Sequence, residues 1–88
     1  MTWTQQSVRT ELLKLFQQHA QEGVSVSEKS HLVADLGIDS LGVMEVIADI
    51  EDRFKLVIPD EALRDVDTIA DVAKAIETKL RGDGRLQG

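Results

Sequence analysis

Leu36-Gly37-Ile38-Asp39-Ser40-Leu41 is the stretch whose reading decides the fold. Leu36-Gly37 favours a loop, Asp39 and Ser40 are both good helix N-cap types, and an apolar pattern of helical period runs from Leu41 to Phe54. Ser40 therefore stands where a helix begins. Unpaired backbone N–H groups and the positive end of the helix dipole favour an anion there, so a phosphate ester on this hydroxyl would be at home. Taken alone, Asp39-Ser40 reads more simply as a helix cap.

On the helix that follows, Val43, Val46, Ile47, Ile50 and Phe54 fall on one side at about 100° per residue and are expected to face the core. Leu41, Met44, Glu45, Ala48 and Asp52 fall on the other, flanked by Asp49 and Glu51. A solvated face has no need of Leu41 and Met44, and acids near a helix C-terminus cost about 0.3–1 kcal/mol. Leu41, Met44, Glu45, Ala48, Glu51 and Asp52 thus suit docking by partners that present Arg and Lys around a small apolar patch.

The run Asp39-Ser40-Leu41-Gly42-Val43-Met44-Glu45-Val46-Ile47, with Glu51-Asp52-Arg53-Phe54, Ile58-Pro59-Asp60-Glu61 and Thr68-Ile69, resembles the acyl carrier proteins. The likeness extends from about Leu32 to Ile76, roughly half the chain. It implies that Ser40, between Asp39 and Leu41, is esterified with 4′-phosphopantetheine, whose thiol carries acyl groups as thioesters. It also implies a non-catalytic carrier and an acyl pocket formed by Ile50, Phe54, Ile58, Leu63 and Ile69. The implied partners are a phosphopantetheinyl transferase and acyltransferase, ketosynthase or ligase enzymes with basic docking patches.

Outward from this helix, Val8, Leu12, Leu15 and Phe16 form one stripe of a first helix over Thr4 to about Gln21, with Gly23 placed to end it. The long segment from Gly23 to Asp39 carries Val24, Val26, Leu32, Val33, Leu36 and Ile38, enough anchors to pin it across the helices. Beyond Phe54, Pro59-Asp60-Glu61-Ala62-Leu63 reads as a short third helix. Ile69, Val72, Ala73, Ile76 and Leu80 form a fourth, with Thr68 and Asp71 as a capping box. The expected fold is all-α: a four-helix bundle of acyl-carrier type with a long first connector and a short third helix. Its domain spans 1–81, and the polar, glycine-rich residues 82–88 are expected to be disordered.

Composition bounds the function. Eighty-eight residues make one small domain with a modest core. Sixteen acids against ten bases, a net charge of -6, oppose nucleic-acid or anionic-membrane binding. With no cysteine, any thiol chemistry must come from an attached group. No metal site is expected: Asp65, Asp67 and Asp71 lack the glycine and glutamate of an EF-hand loop. His19 and His31 stand in no recognisable catalytic constellation, and Ser40 lacks the Gly-x-Ser-x-Gly setting of a nucleophile elbow. Without an apolar run of roughly 20 residues or a signal pattern, a cytoplasmic monomer is expected.

Gly42 stands where fatty-acid carriers usually bear an acid, and Ala48 where a larger apolar residue is common. Both favour a discrete carrier for polyketide or other specialised acyl biosynthesis over a housekeeping fatty-acid synthase carrier. The remaining alternative is a peptidyl or aminoacyl carrier, which shares the serine and the arm.

Overall fold

The computed structural model describes residues 2–87. Three α-helices carry the fold: α1 (Gln5–His19), α2 (Ser40–Phe54) and α3 (Ile69–Gly82). The first helix packs against both others, and all three close on one core. Val8, Leu12, Leu15 and Phe16 from α1 meet Val46, Ile47, Ile50 and Phe54 from α2, and Ile69, Val72, Ala73, Ile76 and Leu80 from α3. These are the stripes that the helical periodicity predicts, because burial of one face stabilises each short helix.

The expected third helix is a single 3-10 turn, Asp60–Leu63, so the bundle has three α-helices and a turn. Pro59 sets the turn's entry, but Ala62 and Arg64 bond back only to Pro59 and Glu61, and four residues are too few to nucleate an α-helix. Leu63 and Val43, both expected inside, are half-buried. The first helix stops at His19, with Ala20 extended, so Gly23 forms a later turn and does not end it.

The connector is pinned as its anchors predict. Leu32, Leu36 and Ile38 are buried, while His31 to Gly37 wind through a helical turn. Leu32 N donates to Asp67 O at 2.9 Å and Ile69 N to Ser30 O at 3.2 Å, which stitches the connector to the start of α3. Val33 departs from expectation: it lies on the outer side of that turn and is 66% exposed.

Each helix begins on a side-chain cap. At α1, Thr4 Oγ1 accepts from Ser7 N at 3.0 Å, and Ser7 Oγ accepts from Thr4 N at 2.8 Å. At α3, Thr68 Oγ1 accepts from Asp71 N at 3.2 Å, and Asp71 Oδ2 accepts from Asp67 N and Thr68 N at 3.0 and 3.1 Å. The Asp67 N–H, then that of Thr68, holds the Asp71 carboxyl below its ordinary value of 3.8. A folded pKa below the unfolded one gives stability that is present above 3.8 and lost as pH falls through the folded value. Acid unfolding followed by circular dichroism is therefore expected to show a shallower loss of stability below 3.8 in Asp71→Asn, which keeps an acceptor but does not titrate.

The end of the chain differs from the expected disordered tail. Trp3–Thr4 (β1) pairs in parallel with Leu86–Gln87 (β2), and Trp3 N donates to Arg85 O at 2.8 Å. The Arg85 guanidinium donates to Phe54 O and, at 2.9 Å, to Lys55 O, carbonyls that the end of α2 leaves without partners. Trp3, half-buried, lies over Phe54 at the end of α2 with ring centroids 4.4 Å apart. Composition missed this clasp because its partners lie 30 or more residues apart. Met1 and Gly88, the latter in the tail expected to be disordered, lie outside the described residues.

Candidate functional site

Ser40 is the first residue of α2 and is exposed. Capping falls to its neighbour: Asp39 Oδ1 accepts from Gly42 N at 2.7 Å, and Asp39 O accepts from Val43 N at 2.9 Å. The Ser40 hydroxyl is thus not spent on the helix start. The N–H groups of Ser40 and Leu41 belong to the first turn, where no intrahelical acceptor exists, and they favour an anion beside the hydroxyl.

Gly42 lets this turn close. A Cβ at this position would stand 2.7 Å from Ile38 Cγ2 and 3.2 Å from Asp39 Oδ1. Ile38 is buried and branched at Cβ, so its methyl cannot swing aside. The acid common at this place in fatty-acid carriers would meet the same obstacle. Although alanine gains about 0.5–1 kcal/mol of helix propensity over glycine, overpacking costs about 1–3 kcal/mol. Gly42→Ala is therefore expected to lower stability by about 1 kcal/mol, read as an earlier urea midpoint at unchanged slope.

Beside Ser40 opens a concavity of about 500 Å³ lined by His31, Leu32, Val33, Ala34, Val43, Met44, Val66 and Asp67. Its walls come from the connector turn, the first turns of α2 and the approach to α3. It has the size and the mostly apolar lining of a small-ligand site. Ile50, Phe54 and Ile69 are fully buried, Ile58 is nearly so, and Leu63 is half-buried. None of these five expected acyl-pocket residues lines the concavity at Ser40; Ile58 borders a separate one of about 170 Å³ with Val57, Pro59 and Ala62.

On the outer face of α2, Leu41 and Met44 are 65% and 69% exposed, and Glu45, Ala48 and Asp52 are exposed beside them. Glu51 does not belong with them. It is half-buried, and its Oε2 accepts from Ile58 N at 2.8 Å, fixing the strand-like exit from the helix. Asp49 is tied to α1 through His19 Nε2 at 2.7 Å. Sequence reading missed Val33 and Val66, which the connector and the turn after Leu63 carry to Ser40. Hydrophobicity flagged Val33 as an anchor of the connector, but its direction depends on how that segment folds.

Residues 10–76 match the family described as the phosphopantetheine attachment site. The acyl carrier protein of Wolinella succinogenes is 45% identical over 53 residues, 60% of this chain and 70% of the relative. The chain belongs to the acyl carrier protein family. The acyl carrier protein of Helicobacter pylori is 41% identical over 56 residues, 64% of this chain and 72% of the relative. A solved structure of a candidate acyl carrier protein from Mycobacterium tuberculosis superposes with a TM-score of 0.64. It covers 85% of this chain and 96% of that one at 21% identity, a likeness of fold.

The family's prosthetic group is 4′-phosphopantetheine. The residues present fit it: an exposed hydroxyl free of capping duty, first-turn N–H groups for a phosphodiester, and an adjoining groove for the arm. The site therefore agrees in chemistry with the family to which the chain belongs.

Proposed function

We propose that Ser40 Oγ bears the phosphopantetheine arm and that the chain carries acyl intermediates on it as thioesters. The observation that carries this reading is the exposed Ser40 at the front of α2, with the cap assigned to Asp39 and a groove beside it. When bound, the arm supplies a thiol that this cysteine-free chain lacks. Ser40 anchors it, the first turn of α2 holds its phosphate charge, and the outer face of α2 presents it to enzymes. Tethering raises the effective concentration of the intermediate at each enzyme in turn. Intact mass after incubation with coenzyme A and a phosphopantetheinyl transferase of broad specificity tests the reading: one arm's mass is expected, and an unchanged mass overturns it.

We infer that the chain serves polyketide or other specialised acyl biosynthesis. Gly42 and Ala48, which depart from the fatty-acid pattern, support this, and Gly37-Ile38-Asp39-Ser40 favours acyl over aminoacyl cargo. Its partners, an acyltransferase, ketosynthase or ligase besides the transferase, dock on Leu41, Met44, Glu45, Ala48 and Asp52. Such partners must bind weakly and release quickly, which suits exposed charge around few apolar anchors. Glu45→Lys and Asp52→Lys are expected to slow acyl transfer about tenfold at low salt, with a smaller effect at high salt and unchanged thermal midpoints. Equal rates with all partners would contradict the docking face. Shielding of an acyl chain by Ile50, Phe54, Ile58, Leu63 and Ile69 requires these packed side chains to part, offset by about 0.8 kcal/mol per buried methylene.

A further inference from the structure

His31 shares the concavity of about 500 Å³ with Ser40. Most of its walls are hydrocarbon, and among the described residues that line it, those with polar side chains are Ser40, His31 and Asp67. The His31 ring is held in a defined way: Nδ1 stands 3.0 Å from Asp35 Oδ2, which also accepts from the His31 backbone N–H at 2.7 Å. That backbone N–H, then the ring, keeps the Asp35 carboxyl below the ordinary carboxylate range, so it is ionised at neutral pH. The ring nitrogen facing a carboxylate carries the proton. In its neutral form the imidazole then offers its Nε2 lone pair on the other side, from a side chain that is 56% exposed.

We infer that His31 is a positioning residue for the prosthetic arm, its Nε2 accepting a hydrogen bond from an amide N–H or hydroxyl of the arm as the arm leaves Ser40 along this groove. The chemistry matches from both sides. The attached arm carries two amide N–H groups and one free hydroxyl, all donors, while His31 and Asp67, two of the residues lining the groove, each bear an acceptor. The apolar walls, including Val33 and Met44, suit the arm's methyl and methylene groups. Asp35 acts through the ring by fixing which nitrogen is protonated. The inference rests on the reading of Ser40 as the attachment point.

The test compares apo and holo forms of the wild type, His31→Gln and His31→Leu by nitrogen-15 and proton NMR, after mass spectrometry has established loading. In the wild type, the His31 Nε2 resonance is expected to move on loading, and cross-relaxation is expected between the arm's methyl groups and Val33 or Met44. Gln, whose side-chain amide oxygen accepts a hydrogen bond, is expected to retain that cross-relaxation. Leu, of similar bulk and without an acceptor, is expected to lower the ratio of groove-bound to free arm about fivefold, the ratio one net hydrogen bond supplies. A loaded protein whose Nε2 resonance stays in place, or whose Leu variant keeps the full contacts, overturns the role of His31 and leaves the attachment intact. A chain that does not load overturns the attachment reading, and this inference with it.

Discussion

Replacing Ser40 with alanine is expected to abolish loading of the arm while leaving the fold intact. The two effects separate because Asp39, not Ser40, caps α2. Ser40 is exposed at the first helical position, so its loss should change stability by no more than about 0.5 kcal/mol. Loading should fall to nothing, since among the described residues no other hydroxyl offers both a helix front and the adjoining groove. Asp39→Ala makes the complementary case. It keeps the hydroxyl but removes the acceptor of the 2.7 Å bond from Gly42 N, which costs about 1 kcal/mol of stability. Asp39→Ala should therefore still load, more slowly, and melt earlier. Intact mass and thermal melting of the two variants check both halves; an arm retained on Ser40→Ala would move the attachment site elsewhere.

The largest expected loss of stability lies on the other side of the molecule, at Arg9. Its Nε stands 3.2 Å from Glu77 Oε2, and its Nη1 is bonded to Glu28 Oε1. The Glu77 side chain is only 7% exposed, and that oxygen has no hydrogen-bond partner, so it is held by the charge of Arg9 alone. The bond to Glu28 and the charge of Glu77 raise the Arg9 pKa above its ordinary value, which keeps the cation through the whole working range. Arg9→Met would leave a buried carboxylate without a counter-charge. Removing one partner of a buried pair costs about 3–5 kcal/mol, and the partial exposure of Arg9 argues for the lower figure, about 3 kcal/mol. For a small domain that is a large share of the total. Replacing both partners, Arg9→Met with Glu77→Leu, should recover most of the loss, since an apolar pair needs no counter-charge. Urea unfolding of the two single variants and the double variant measures the coupling; a single Arg9→Met variant as stable as the wild type would show that water already solvates Glu77.

Some of the site was legible because it is local. Asp39 as cap, Ser40 as first helical residue, the inward stripe of α2 and the Thr68–Asp71 box each depend on residues within four positions of one another. Exposed Leu41 and Met44 followed from the same period. Glu77 was within reach of that reasoning too: its spacing from Ile69, Ala73 and Leu80 puts it in the stripe of α3, and only its charge hid it. Glu51 was misplaced because period assigns a helix face but cannot see a backbone N–H, that of Ile58, waiting seven residues downstream.

By itself, then, the sequence determined the core-facing stripes of the three helices, the caps of α2 and α3 and the candidacy of Ser40 as the attachment residue. Tertiary structure alone decided that the groove at Ser40 lies against His31, Val33 and Val66, that Arg9 neutralises Glu77 and that Arg85 closes the end of α2. The reason is one of range. Caps and helical stripes are set by neighbours along the chain, whereas a groove wall, a buried ion pair and a terminal clasp exist only once separate segments have met, as Arg9 meets Glu77, 68 residues on, and Trp3 meets Leu86.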